Sequence, residues 1–387
     1  MVHIVGWGHT RFGKLSEMDL EALIVESGRE ALSHAQVDPA DIDGIWLGHF
    51  NAGMVHDGFA SSLALSIDPA LRFTPATRLE NACASGSAAI FAARNAIESG
   101  RARIALVLGV EKMTHLPTAE VGAALGHAAY QKQEAGLTFP QVFAGFARAY
   151  ADKWGDPTLA MAKIAAKNHA NAMHNPLAQL HKELPVEFCA VESERNPVVA
   201  PPLKVTDCSL VSDGAAAVIM VADDLIEHFP QAVRLRASEQ VNDFLPMASR
   251  DLTAFEGPQR VIARALGTAG LTIRDIDLAE VHDCFTIAEL MLYEAMGLAR
   301  PGNGAEALEE GIVYPDGALP VNLSGGLKAK GHPVGATGVS MHVMVSRQVT
   351  GQAGDMQKTG AELGLVFNMG GSGVANYASV LEGVKAP

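Results

Sequence analysis

An internal repeat restricts the fold of this chain more than any other feature. Residues 31–43 (ALSHAQVDPADID) align without gaps to residues 265–277 (ALGTAGLTIRDID), matching at Ala31/Ala265, Leu32/Leu266, Ala35/Ala269, Asp41/Asp275, Ile42/Ile276 and Asp43/Asp277. Helix, turn and strand signals recur in all α/β chains, so the weight lies in what surrounds the match. In the first half a helix over 86–98 stops near Gly100 and leads to Ile104–Gly109, an apolar run of the kind buried on both faces of a parallel sheet. In the second half a helix over 337–349 ends at Gly351 and leads to the apolar run Leu363–Phe367. The repeated order predicts a duplicated α/β fold. Two βαβ-rich halves packed face to face would bring their helix N-termini to a shared centre.

The remaining segments fit that plan. Residues 2–6 read as a first strand, Met18 to His34 as an amphipathic helix buried through Leu20, Leu23, Ile24 and Ala31, and residues 41–48 as a short return strand. The pattern breaks over 113–205, where prolines and polar clusters interrupt helical patches at 140–153 and 157–174. That stretch is expected to be an inserted lid that folds over the body. Asp207 to Val221 then resumes with a glycine turn and a buried strand. The expected division is 1–112 for the first half, 113–205 for the insertion, 206–228 to complete the first half, and 229–387 for the second. A chain of 387 residues needs more than one core, and 48% apolar residues with only 6% aromatics and 38 glycines suit alternating strands and helices with tight turns.

Charge and cysteine usage remove several functional classes. A formal net charge of −14 argues against coating nucleic acid or an anionic membrane. No apolar run approaches the ~18 residues of a membrane span, and the start of the chain lacks the regions of a secretory leader. Cys83, Cys189, Cys208 and Cys284 lie far apart, with neither a C-x-x-C pair for zinc nor a disulfide framework. Free thiols and a cytoplasmic location are expected.

Four short motifs carry chemistry. In Asn81-Ala-Cys83-Ala-Ser-Gly-Ser-Ala-Ala89 a cysteine stands at the mouth of a helix of small residues. An isolated buried cysteine is usually a small hydrophobe, but helix N–H groups favour a thiolate and small neighbours admit a ligand. Gly331-His332-Pro333 places an imidazole on a tight loop entering a second helix, where it could accept the thiol proton. Lys328 and Lys330 precede it, either solvated or biasing its field. His282-Asp283-Cys284-Phe285 follows the repeated segment; its H-x-C spacing alone is a poor metal site, whereas a thiol near neutrality can act as acid or base. Asn368-Met-Gly370-Gly371-Ser-Gly373 ends the last apolar run with a turn whose amides could hold an oxyanion. Cys189 and Cys208 match no motif and are expected to be structural.

In order and spacing, these motifs together with Gly109-Val-Glu-Lys-Met113 resemble the thiolase superfamily over essentially the whole chain. The HDCF form, and Asn368 where many thiolases have the cysteine of a C-x-G motif, are similar to the sterol-carrier-protein-type and archaeal acetoacetyl-CoA thiolases. No sterol-carrier domain is expected, because the chain stops at Pro387. The resemblance implies a five-layered α-β-α-β-α fold with a loop domain covering the pantetheine channel. It implies Claisen condensation of acetyl-CoA, or thiolysis of 3-ketoacyl-CoA, with no metal and no permanently bound cofactor. Cys83 would be acylated with His332 as its base, and Cys284 would serve as second acid and base. The enolate oxygen would be held by His332 and a water positioned by His282, and the tetrahedral oxyanion by the amides of Cys83 and Gly370. A homodimer or homotetramer is implied. Two alternatives remain: a thiolase-like aldolase with an OB-fold partner, or a scaffold subunit of such a complex.

Overall fold

Strands and helices alternate in both halves, as the repeat predicts. The structure, a computed structural model, describes residues 1–384; the last three residues of the expected second half lie outside the described residues. The first half supplies β1 (Val2–His9), β2 (Gly44–Gly48), β3 (Ala76–Leu79), β4 (Ile104–Glu111) and β5 (Gly214–Ala222). The second supplies β6 (Ala232–Asn242), β7 (Leu278–Val281), β8 (Leu363–Gly370) and β9 (Ala375–Val384). All nine join one sheet in the order β3-β2-β4-β5-β1-β6-β9-β8-β7. Outward from its middle each half runs through equivalent strands, so the halves mirror each other. Only two residue pairs, His3–Arg234 and Ile4–Val233, join β1 to β6. Among the described residues the second half has no strand equivalent to β3; a single parallel bridge between Ala279 and Val321 stands in its place.

Helix α1 (Leu20–Ala35) packs on β1, β5 and β4. Asp19 caps it by accepting the Ala22 amide at 2.8 Å, and Gln36 ends it in the left-handed region. Helix α2 (Ser85–Glu98) follows β3, and the insertion contributes α3 (Thr118–Gly126), α4 (Phe139–Trp154) and α5 (Thr158–Ala172). In the second half α6 (Glu256–Ala269) mirrors α1 on β6, β9 and β8, followed by α7 (Thr286–Ala295) and α8 (Thr337–Val349). Of α8 only Arg347 is not buried. Such a helix must sit inside, and α8 touches α2, β4, β5 and β1 of one half and β7, β8 and β9 of the other. The layers are therefore α1, half-sheet, α2 with α8, half-sheet, α6. This is the expected five-layered arrangement.

Two local features have physical causes. Helix α2 starts at Ser85, within one residue of the expected start, because Ser85 Oγ accepts the Asn81 amide at 3.0 Å and donates to the Ala82 carbonyl at 2.6 Å, winding 81–84 into a turn with Ala82 at φ 50°. Strand β3 is a half-exposed edge with no apolar alternation to mark it.

No strand from 113–205 joins the large sheet. The segment leaves and returns at one point, which Asp213 closes. Its buried carboxylate accepts the amides of Met113 and Thr114 at 2.7 Å each and Leu15 at 3.1 Å, and pairs with Lys112 at 2.7 Å. Burial works to raise its pKa, but Lys112, Thr114 and the amides hold it below the usual carboxylate range. Its stabilisation is therefore full above about pH 4 and fades as pH falls through the lowered folded value. Asp213→Ala strands a buried ammonium and several amides, so it should cost about 3–5 kcal/mol, read as a lowered urea midpoint at pH 7. A loss below 1 kcal/mol would show that the insertion is not anchored there.

Candidate active site

The C-terminal ends of parallel strands deliver most of the functional residues, where ligands usually bind in open α/β sheets. Strands β7 and β8 run parallel, with Val281 opposite Phe367. His282–Cys284 and Asn368–Gly371 therefore emerge side by side. Strand β3 runs parallel to β2 and leads into Asn81–Ala84. The remaining element is the loop before α8. It starts at Gly325–Gly326, both at positive φ, passes through one π-helical turn over Gly326–Lys330 and reaches His332. Ser212 Oγ accepts the His332 amide at 2.9 Å.

The sequence-predicted residues converge. Cys83, His282 and His332 each present a ligand-type atom, all within 4.8 Å of one another. The two imidazoles meet edge to face, with centroids 5.1 Å apart and planes at 83°. By residue type and spacing the trio could also ligate a soft divalent cation. Cys284 shares one cavity with Cys83 and His332. Gly370 is the last residue of β8 and packs its backbone on the Asn81 carbonyl, which a Cβ there would approach to 2.1 Å. The amide that faces the Cys83 sulfur belongs to the next residue, Gly371 at φ 63°. Motif reading could not choose between neighbouring amides, because the turn decides which one points inward.

Burial governs the electrostatics. It pushes the Cys83 thiol up to about 12; the Gly371 amide and the amide of Cys83 itself oppose that rise, and Glu111 and Glu80 add to it. The helix N-terminus does not prevail over desolvation, so the expectation of a lowered thiol pKa is overturned. Burial, then the Lys330 charge, lowers His332 to about 3. Burial likewise takes His282 well below the ordinary histidine value and Cys284 well above the ordinary thiol value. The resting groups are a neutral thiol and neutral imidazoles.

Both lysines before His332 are buried, not solvated. Lys330 donates to Ser340 at 3.0 Å. The backbone around Lys328 is held from below by Asp283, whose carboxylate accepts the amides of Leu327 at 2.6 Å and Lys328 at 3.1 Å. Asn168 of α5 donates to Asp283 at 2.8 Å and to Glu289 of α7 at 2.6 Å, and Lys167 pairs with Glu289 at 2.9 Å. Burial, then Glu289, raises Asp283 to about 7. One buried network thus ties the insertion, the His282–Cys284 segment and the His332 loop together.

A cavity of about 270 Å³ leads down to Cys83 and His332. Its exposed rim is Thr118, Val199 and Val205, its walls include Val121, Gly122, Leu125 and Phe139, and Cys83, Cys284, His332 and Gly371 lie at its floor. Cys208 also lines it, bridged through backbone to Phe285. No sequence motif marked it as part of this cavity. Larger grooves of about 350 and 660 Å³ near Asn171 and His174 are lined by no cysteine.

A thiol near 12 predicts how Cys83 meets an alkylating reagent. Without substrate, iodoacetamide modification of Cys83, followed by mass spectrometry, should accelerate about tenfold per pH unit from 7 to 9, as thiolate does well below its pKa. A rate already level at pH 7 would mean a preformed thiolate.

Comparison with known proteins places this geometry. Residues 2–224 match the family model "Thiolase, N-terminal domain" and residues 239–383 match "Thiolase C-terminal domain-like". The chain is 38% identical to an acetyl-CoA acetyltransferase of Methanothermobacter thermautotrophicus, covering 96% of this chain and 97% of that one. It is 32% identical to sterol carrier protein 2 of Bos taurus, covering 95% of this chain and 70% of that protein. Among solved structures, the Ltp2-ChsH2(DUF35) aldolase superposes with a TM-score of 0.84 at 21% identity, covering 99% of this chain and 97% of that one. Human mitochondrial 3-ketoacyl-CoA thiolase superposes with a TM-score of 0.77 at 18% identity, covering 99% of each chain. These two superpositions speak to the fold alone. With both family models matched across nearly its whole length, the chain belongs to the thiolase family.

Proposed function

We propose that this chain is an acyltransferase that joins two acetyl-CoA molecules into acetoacetyl-CoA by Claisen condensation, or cleaves 3-ketoacyl-CoA with free CoA in reverse. One observation carries the reading: a thiol and two neutral imidazoles present atoms within 4.8 Å of one another, and that thiol and one of the imidazoles lie at the floor of an apolar channel. The name of the relative at 38% identity, acetyl-CoA acetyltransferase, supports it.

In the first step Cys83 Sγ attacks the thioester carbonyl as its proton passes to His332. The bond from the acyl carbon to Cys83 forms and the bond to the CoA sulfur breaks. Cys284 protonates the departing CoA and is left as a thiolate. The raised pKa of Cys284 makes that thiolate a strong base. It removes the α-proton of the incoming acetyl-CoA, and the resulting carbanion attacks the acyl carbon on Cys83. Cys83 leaves and recovers its proton from His332. The amides of Cys83 and Gly371 stabilise the tetrahedral oxyanions. Burial suits this sequence, because charges created only during reaction are stabilised by dipoles already in place.

The aldolase reading leaves Cys83 without a task, since retro-aldol cleavage needs a base and no acylated nucleophile. The half-exposed edge strand β3, which leads directly to Cys83, supports assembly as a homodimer or a dimer of dimers. Four free cysteines support a cytoplasmic location.

Two experiments test the reading. Cys83→Ser should abolish the acetyl adduct seen by mass spectrometry after acetyl-CoA treatment and lower thiolysis by about 10⁴-fold or more. Cys284→Ala should retain the adduct while losing α-proton exchange in acetyl-CoA. An undiminished Cys83→Ser rate sinks the assignment, and persistent exchange moves the base elsewhere. The channel is tested by Gly122, which sits inside α3 with nothing within 4 Å of its would-be Cβ. Gly122→Leu should gain up to about 1 kcal/mol of stability through helix propensity while lowering kcat/KM at least tenfold. Unchanged kinetics would mean that substrate takes another path.

A further inference from the structure

A neutral imidazole carries one hydrogen on two nitrogens, and the partner of one nitrogen decides what the other can do. At His332, Nδ1 lies 2.7 Å from Thr337 Oγ1, and that hydroxyl donates to the Pro333 carbonyl at 3.0 Å. The Thr337 oxygen therefore accepts Nδ1–H. Nε2 of His332 keeps its lone pair and is free to act as a base.

His282 is held the opposite way. Its Nδ1 lies 2.9 Å from Asn368 Nδ2, an atom that can only donate. The same Nδ2 donates to the Cys83 carbonyl at 3.2 Å. The reversed amide would press oxygen against that carbonyl, so the Cys83 backbone fixes the orientation of Asn368. Asn368 Oδ1 is left buried without a partner, which costs stability. The amide is therefore not oriented by its own needs.

We propose that Asn368 is a positioning residue that locks His282 as its Nε2–H tautomer, so that the site presents one imidazole that takes a proton and one that gives a hydrogen bond. Burial keeps both rings neutral, which leaves the tautomer as the only variable. The lock also works against metal binding by the trio, because His282 Nε2 bears a hydrogen where a cation needs a lone pair. The catalytic consequence rests on the thiolase reading. Under it, His282 donates directly to the thioester oxygen as it becomes an enolate, without an intervening water.

The tautomer is measurable without turnover. Full-length protein carrying ¹⁵N-histidine should show His282, identified by its loss in His282→Gln, with Nδ1 unprotonated and Nε2 protonated throughout pH 6–9. The reverse pattern, or an average of two tautomers, overturns the proposal. In the near-isosteric Asn368→Leu the tautomers should mix and α-proton exchange should fall about 10²-fold, the scale of losing one oxyanion donor, while acetylation of Cys83 falls less than tenfold. Asn368→Asp should accept Nδ1–H, leave hydrogens on both nitrogens and give His282 a titration inside pH 6–9 that the parent lacks. A parent tautomer pattern in both variants, or equal losses in both half-reactions, refutes the role of Asn368. Absence of any acetyl-enzyme in the parent counts against the thiolase reading and leaves the spectroscopic test standing.

Discussion

The site depends on a close crossing of two helix N-termini. A Cβ at Gly86 would lie 2.8 Å from the Gly335 carbonyl and the Val339 amide, and one at Gly338 would lie 2.3 Å from the Ser87 amide. Backbone therefore meets backbone where α2 and α8 cross, one helix from each half. Any side chain at these positions would push the helices apart and carry Cys83 away from His332. Glycine inside a helix is unfavourable by roughly 0.5–1 kcal/mol, and here the close contact offsets that cost. The duplication matters for the same reason: each half supplies one of the two helix N-termini that meet here.

The crossing also removes the site from water, and most of its chemistry follows. Helix dipoles alone would favour a thiolate, yet Cys83 rises to about 12 and His332 falls to about 3. A preformed ion pair would need solvation that this interior lacks. A neutral pair costs little to bury and separates charge only when a substrate oxygen arrives between fixed amides. The same burial makes the tautomer of His282 consequential, since its Nδ1 faces Asn368 and not solvent.

Sequence made the residues that converge legible because each sits in a short, chemically unusual setting: Cys83 among small residues, His332 after Gly331, Cys284 two residues beyond His282. The layered fold was legible from the order of helices and strands. What escaped depends on contacts between distant segments. Lys328 and Lys330 look like surface residues, but they lie on a loop drawn into the interior by Asp283, and Asp283 is paired in turn through Asn168. The direction of the Cys83 shift required knowing its burial. Gly371 took precedence over Gly370 through the turn after β8, Cys208 reached the channel through a backbone bridge to Phe285, and β3 is too short and too exposed to announce itself.

The insertion is more than a cover. Helix α5 extends Lys167 and Asn168 into the protein, where they meet Glu289 and Asp283, the residue between His282 and Cys284. Lifting α5 would break a fully buried ion pair, and leaving either partner alone costs several kcal/mol. Helix α5 must therefore stay docked through the reaction. Helix α3 is held differently: Pro117 at its N-cap supplies no capping side chain, and Val121 and Ala124 pack into an apolar cluster with Phe50, Met54, Ala82, Cys83, Met113 and Val334. With Val121, Gly122 and Leu125, α3 forms one wall of the channel. Helix α5 thus ties the His282–Cys284 segment to the insertion from below, while α3 walls the channel above it.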